Sequence, residues 1–247
     1  MSDAPSRAQR LFVAQDLSEG AQVTLPPEQA HYLSNVIRLP IGGAVLLFNG
    51  RDGEWLAHRA EGMKREVRVM LERRLRDQTP PGAIDYAFAP LKHARLDYMV
   101  QKAVEMGVGR LSPVITRFTQ VNRVNLDRMQ ANAVEASEQC GILSLPALDE
   151  PRPLDRWVAD LSAERLLVFC DEDAPVADPV ATLRDAPEGP VSLLIGPEGG
   201  FSAEERAMLR AHGRTVVLSL GPRILRADTA AVAALALVQA VRGDSRA

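Results

Sequence analysis

Apolar and polar positions fall in short runs over the first third of the chain, and the rhythm then changes. Leu11-Phe12-Val13, Ala44 to Phe48, Glu54 to Ala60 and Val67 to Leu75 are strand-length stretches of apolar or alternating character. Asn49-Gly50 and Asp52-Gly53, between two of them, are turn dipeptides, because these residues enter the positive-φ region at low cost. Ala30 to Arg38 can form one short helix before Pro40. Several strands and one helix in so short a stretch predict a small β-barrel. Asp77 to Gly82 reads as a linker, since Pro80 and Pro81 remove two backbone donors in succession.

Past the linker, strand and helix patterns alternate. Ile84 to Ala89 is strand-like; Leu96, Val100, Ala103 and Val104 then recur at helical spacing, and Gly107 offers a left-handed stop. The series continues with Leu111 to Ile115, a helix around Leu126 to Ser137, Leu166 to Phe169, Val191 to Ile195, a helix from Ser202, Thr215 to Leu218, and a final helix over Arg226 to Val241. The predicted class is α/β, with an open, mostly parallel sheet covered by helices and a ligand site beyond the carboxyl ends of its strands. The longest apolar stretch, Ala230 to Val238, is far short of the roughly 20 residues a membrane span requires and reads as a buried helix.

Composition adds one useful asymmetry. The 247 residues, 46% hydrophobic and 25% charged, are those of a globular chain of one large or two modest domains, and the net charge of −3 argues at first against a nucleic-acid partner. Residues 1–76 hold 11 Lys and Arg against 9 Asp and Glu, whereas residues 77–247 hold 18 against 23, so a mildly basic first part precedes an acidic second part. Cys140 and Cys170 form no CxxC, and His31, His58, His93 and His212 are scattered, so no metal site is expected. Two cysteines and no charged-then-apolar leader fit a cytoplasmic protein.

Candidate chemistry follows the strands. After Val191 to Ile195 comes Gly196-Pro197-Glu198-Gly199-Gly200-Phe201-Ser202-Ala203-Glu204-Glu205, in which Ser202 and Glu205 have capping-box spacing. The loop is acidic and lacks the Lys-Ser/Thr of a phosphate-binding loop, so it suits a neutral or cationic ligand; the sulfonium of S-adenosylmethionine is one. After Thr215 to Leu218 comes Ser219-Leu220-Gly221-Pro222-Arg223-Ile224-Leu225-Arg226-Ala227-Asp228-Thr229-Ala230. Arginines at a helix start oppose the macrodipole, which points to an anionic partner; pairing of Arg223 and Arg226 with Asp228 or Glu198 is the structural alternative.

These two segments resemble the signatures of the RsmE family, small-subunit ribosomal RNA methyltransferases of the SPOUT superfamily. Arg10-Leu11-Phe12-Val13, His31-Tyr32-Leu33 with Asn35-Val36-Ile37-Arg38, Phe48-Asn49-Gly50, Gln101 to Val108 and Glu135 to Cys140 agree in order, so the resemblance spans roughly residues 10–241. Asp228 stands where many members have Glu, and Gly141 where an Arg is frequent. The resemblance implies a PUA-like β-barrel over residues 1–76, a linker over 77–82, and a SPOUT domain with a deep trefoil knot over 83–247. It also implies a homodimer, for which Ala230, Ala233, Ala234, Leu237 and Val238 would serve equally as core or contact surface. S-adenosylmethionine would be held by Phe169, Cys170 and Asp171, by Ile195, Gly196, Pro197, Glu198, Gly199 and Gly200, and by Leu218, Ser219, Leu220, Gly221, Arg223, Ile224 and Leu225.

The implied reaction is methylation of uridine N3 in 16S rRNA of the small subunit, the family's position 1498. Uracil N3 carries a proton and must lose or share it as the methyl arrives. Arg226 is the candidate stabiliser of the uracil anion, Arg223 a phosphate contact, and Asp228 or Glu198 either the proton acceptor or the group orienting Arg226. RNA contacts are expected mostly from the barrel, at Arg10, Arg38, Lys64, Arg65, Arg68 and Arg73, with Lys92, Arg95 and Arg117 extending the track. Another RNA site, a ribose 2′-oxygen target, or a non-catalytic RNA-binding assembly factor are the competing readings.

Overall fold

The computed structural model describes residues 8–61, 66–121, 123–175 and 177–243. The chain gathers into two units, Met1–Pro80 with Ser137–Ser144, and Pro81–Ala136 with Leu145–Ala247.

In the first unit β1 (Gln9–Phe12), β2 (Gln22–Thr24), β3 (Ala44–Phe48), β4 (Glu54–Arg59) and β5 (Arg68–Arg76) make one sheet in the order β1-β3-β4-β5-β2. Only β1 and β3 run parallel. Register shifts at Glu54/Trp55 and Leu56/Ala57 in the β4–β5 ladder are irregularities of the kind that bend and twist a sheet. Leu11, Val23, Leu33, Val45, Leu47 and Val69 share its core. β2, only three residues long, shows no alternation to a sequence reading. The helix expected up to Arg38 is shorter: α1 (Pro27–His31) passes into one wide turn over Tyr32–Val36, and Arg38 then takes φ 52°. Asn49 fixes the β3–β4 turn, its side chain accepting from the backbone N–H of Arg51 and Asp52 at 3.0 and 2.9 Å.

Segment Ser137–Ser144 belongs to this unit through backbone carbonyls and through the Glu138 carboxylate, which accepts from the Phe12 backbone N–H at 2.8 Å. Arg10 donates to the Glu138 carbonyl at 3.0 Å and Arg76 to the Gly141 carbonyl at 3.0 Å. Both arginines also hold Glu54, at 2.7 Å each, and the Glu54 side chain is only 4% exposed.

In the second unit β6 (Ile84–Phe88), β7 (Val108–Ile115), β8 (Ala147–Leu148), β10 (Leu166–Cys170), β11 (Val191–Ile195) and β12 (Thr215–Leu218) form a sheet in the order β12-β10-β11-β6-β7-β8, and β9 (Arg152–Pro153) also pairs with β7. Every neighbour is parallel. All five residues of β11 are buried, as a strand covered on both faces requires. On one face, Trp157 of α4 (Leu154–Ala159) and Leu209 of α6 (Ala203–Ala211) pack with Ala87, Val114, Leu167, Phe169 and Leu194. The remaining helices are α2 (His93–Glu105), α3 (Leu126–Cys140), α5 (Pro179–Asp185) and α7 (Ala227–Arg242); α7 packs on β11, α2 and α5. Gly107 ends α2 at φ 72°, the left-handed stop its position implied. Ala230, Ala234 and Val238 of α7 are core residues, whereas Ala233 and Leu237 are half-buried. No helix among the described residues is long and apolar enough to cross a membrane.

Candidate active site

β12, β10 and β11 are sheet neighbours, so the loops leaving their carboxyl ends converge in the second unit. Between them lies a cavity of about 360 Å³. Cys170, Asp171 and Glu172 line it after β10; Ile195 to Glu198, Gly200 and Phe201 after β11; Leu218 to Leu225 after β12; and Ala227 and Ala230 close it from α7. All the expected cofactor residues are gathered here except two. Phe169 stands fully buried behind the wall, edge-on to Phe201 with ring centroids 5.8 Å apart, and a Cβ at Gly199 would meet Phe118 at 3.1 Å. Glu172, Phe201, Pro222, Ala227 and Ala230 are the additional lining residues. Phe201 adjoins the glycine motif, which was the available signal, while Ala227 and Ala230 carry none.

The β11–α6 loop is rigidly built. Ser202 accepts from the Glu205 backbone N–H at 3.2 Å and Glu205 accepts from that of Ser202 at 2.8 Å, the reciprocal capping box the spacing implied. The other Glu205 oxygen accepts from the Arg117 backbone N–H at 2.7 Å, which ties the β7 exit to this helix. Gly200 sits at φ 66°, and a side chain there would also press on Glu172 Oε1 at 2.9 Å. A Cβ at Gly196 would come within 2.9 Å of the Phe201 ring. Bare backbone therefore forms much of this wall.

Two candidate carboxylates share one guanidinium. Arg95, in the first turn of α2, donates to both oxygens of Asp228, at 3.1 and 3.0 Å, and to Glu198 Oε1 at 2.6 Å. The Arg95 hydrogen bonds hold the Asp228 carboxyl below its ordinary range. Deeper in, Asp171 accepts from Arg206 Nε at 3.0 Å and pairs with Arg210 at 3.6 Å. Burial pushes the Cys170 thiol up to about 12, with the charge of Asp171 adding to it.

Arg223 and Arg226 pair with neither Asp228 nor Glu198, which removes the structural alternative for them. Both are exposed, and among the described residues neither has an ion pair or side-chain hydrogen bond. Beside them Ile224 is 87% exposed at the cavity mouth.

The expected RNA track is redistributed. Arg10 is spent on Glu54 and the Glu138 carbonyl, Arg68 pairs with Glu66 at 2.7 Å, and Arg73 lies 3.7 Å from Glu72. Arg38 is exposed and has no side-chain partner among the described residues, and Lys64 and Arg65 lie outside the described residues. Arg95 faces carboxylates of its own chain, so its charge is compensated; no local spacing signals a partner 133 residues away. Lys92 and Arg117 are exposed and both follow strands at the cavity edge of the sheet; the Lys92 side chain has no partner among the described residues, and the Arg117 charge is felt by Glu204. Free positive charge thus concentrates at the rim of the acidic unit. No cluster of metal-ligating side chains occurs among the described residues.

The cavity suits a ligand that has apolar parts, contacts backbone closely and carries a cationic centre. Ile195, Leu218, Leu220 and Leu225 supply the apolar contacts, the glycines the close approach, and Glu172 with Glu198 the negative charge, since Glu198 shares the one Arg95 with Asp228 while Asp171 is neutralised by Arg206.

Residues 78–239 match the family model of an RNA methyltransferase domain. Ribosomal RNA small subunit methyltransferase E of Synechocystis sp. is 30% identical over 239 residues, covering 95% of this chain and 78% of that one. A putative methyltransferase from Legionella pneumophila, solved in complex with the bound cofactor S-adenosylmethionine, matches with a TM-score of 0.80 at 31% identity, over 96% of this chain and 99% of its own. A ribosomal RNA small subunit methyltransferase E from Neisseria gonorrhoeae, bound to S-adenosylmethionine, matches with a TM-score of 0.83 at 26% identity, over 96% and 99%.

Proposed function

Because the chain belongs to the ribosomal RNA small subunit methyltransferase E family, we propose that it methylates N3 of a uridine in 16S rRNA with S-adenosylmethionine as donor. The observation that carries this reading is the convergence of three post-strand loops on one backbone-walled cavity that Arg223 lines, with Arg226 exposed three residues on and neither arginine paired among the described residues. When bound, S-adenosylmethionine supplies a methyl group made electrophilic by its sulfonium.

The chain's own groups do the rest. The backbone of Gly196 to Gly200 and of Leu218 to Leu225 would hold the donor, while Glu198 and Glu172 would favour its positive centre. Arg226 stabilises the negative charge that develops on uracil O2 or O4 as N3 gives up its proton, and Arg223 takes a phosphate. Of the two carboxylates, Glu198 is the better proton acceptor. Arg95 occupies only its Oε1, whereas both oxygens of Asp228 are engaged and its carboxyl is depressed. Because N3 lies on the Watson–Crick edge, the uridine enters unpaired or flipped out.

The finer fold follows the family: a PUA-like barrel before the linker, and a deep knot through the three loops. The placement of β10 between β12 and β11 supports the latter. A homodimer is supported by exposed Ile224 beside the cavity and by half-buried Ala233 and Leu237 on α7. The cytoplasm, where ribosomal subunits reside, is the site of action.

Mass spectrometry of digested small-subunit rRNA tests the reading. Cells lacking the gene are expected to lose one N3-methyluridine, and purified protein with S-adenosylmethionine to restore it. A 2′-O-methylated product, or no lost modification, would refute the proposal.

A further inference from the structure

We propose that a slot beside the cofactor cavity holds a second nucleobase of the RNA substrate, a neighbour of the methylated uridine; this rests on the methyltransferase reading above. The slot lies between the start of α2, the segment after β7 and the start of α3, and encloses about 160 Å³. Leu91, Val100 and Met129 form its buried floor, with half-buried Leu96 and Val121 as its sides.

Its rim has the opposite character. Lys92 and Arg123 are exposed and have no side-chain partner among the described residues. The lining contains one acid, Asp97, and this is answered by Arg128, at 2.9 and 2.6 Å, and by the Asn132 amide at 2.9 Å. Two cations are thus left over, in a part of the chain where acids outnumber bases. Asn125 uses its carbonyl oxygen to accept from the Arg128 backbone N–H at 3.0 Å, and its amide N–H groups, without a partner among the described residues, can donate to a base carbonyl.

A free phosphate would need the cations and not the apolar floor, and an apolar side chain would need the floor and not the cations. A nucleotide needs both, with its base against the apolar walls and its phosphate on Lys92 and Arg123. Position supports the same occupant. Arg95 lies in sequence between Lys92 and Leu96 of the slot, and its guanidinium meets Glu198, which lines the cofactor cavity. Slot and cavity are therefore adjacent on one edge of the sheet, and a strand crossing Arg95 reaches both. Holding a neighbour in the slot also keeps the target nucleotide from restacking.

The test uses the full-length protein and small ribosomal subunits from cells lacking the gene. Lys92→Gln with Arg123→Gln, and separately Val121→Trp, which fills the slot while leaving the cations, are each expected to raise KM for subunits roughly tenfold. Both should leave kcat and the calorimetric affinity for S-adenosylmethionine within twofold. Val121→Glu, which puts a negative charge at the slot mouth, serves if the tryptophan variant fails to fold. An effect from the cation pair but none from Val121 substitutions would reduce the site to a phosphate contact and overturn the proposal, as would no effect from either. If wild-type protein transfers no methyl group, the methyltransferase reading fails; the slot is then judged by the same variants in filter binding to subunits.

Discussion

Arg95 and Asp228 meet in a two-point contact, Nε to Oδ2 at 3.1 Å and Nη2 to Oδ1 at 3.0 Å, while the remaining Arg95 nitrogen reaches Glu198 at 2.6 Å. One guanidinium thereby fixes the start of α7, which sets Arg226, relative to the glycine loop after β11. Arg95→Lys keeps the charge and loses the fork, so kcat is expected to fall roughly tenfold, and Arg95→Gln roughly a hundredfold. The pH profile separates positioning from mere folding. Arg95 is what depresses the Asp228 carboxyl, so without it that group titrates at higher pH. If ionised Asp228 is needed, the acid limb of kcat moves upward in Arg95→Gln. An unmoved limb would show that Asp228 ionisation is not required, and an unchanged kcat in Arg95→Gln would show that the contact has no part in turnover.

Arg226 and Arg223 sit three residues apart on one exposed segment, yet the proposed reaction gives them different roles. Arg226→Ala is expected to lower kcat on the order of a hundredfold without changing S-adenosylmethionine affinity, because it acts on charge that exists only in the transition state. Arg223→Ala should instead raise KM for RNA and lower the salt slope of binding by about one unit, the signature of one lost phosphate contact. Exchange of these two phenotypes would reverse the assignments.

Glu54 makes the first unit sensitive to acid. Burial alone would push its carboxyl up, but hydrogen bonds from Arg76 and Arg10 outweigh burial and hold it below the ordinary value. A carboxylate depressed in the folded state stabilises fully above its unfolded pKa, about 4, and that stability is lost as pH falls through the lower folded value. Urea denaturation is expected to show wild-type stability declining below about pH 4, and Glu54→Gln costing roughly 3 kcal/mol at pH 7 with a flatter acid dependence. Equal acid sensitivity in both proteins would move the responsible group elsewhere, Asp52 being the next candidate because the Leu17 backbone N–H and the Asn49 side chain depress it.

Local physics made much of this architecture readable. β11 and β12 have the predicted bounds because each is a buried apolar run between turn residues, and the Ser202 capping box is a spacing rule that the backbone obeys. What stayed hidden was long-range pairing. Arg10 in Arg10-Leu11-Phe12-Val13 looks like a surface cation until Glu54, 44 residues on, is seen to hold it. Short β8, β9 and α4 lack the length to show a period, and Ser137–Ser144 joins the first unit through its backbone carbonyls and Glu138, whose partners Arg10, Phe12 and Arg76 lie at least 65 residues away in sequence. The loops that line the cavity were legible for the opposite reason, since close backbone approach leaves glycine and proline as its trace in the sequence.

The two cysteines give a direct probe of the cavity. Alkylation requires thiolate, and a thiol pushed up to about 12 by burial is ionised in only about one molecule in ten thousand at pH 8. Cys140 is exposed, whereas Cys170 lines the cavity and is half-buried. Iodoacetamide at pH 8 is therefore expected to add one equivalent rapidly, at Cys140, with Cys170 reacting far more slowly. S-adenosylmethionine at saturating concentration should slow Cys170 further while leaving Cys140 unchanged, because only Cys170 shares the cofactor's cavity. Peptide mass spectrometry over a time course reads both rates. Fast labelling of Cys170 in the free protein would show that its thiol is not raised, and labelling of Cys170 that the cofactor leaves unchanged would place the cofactor away from the loop after β10.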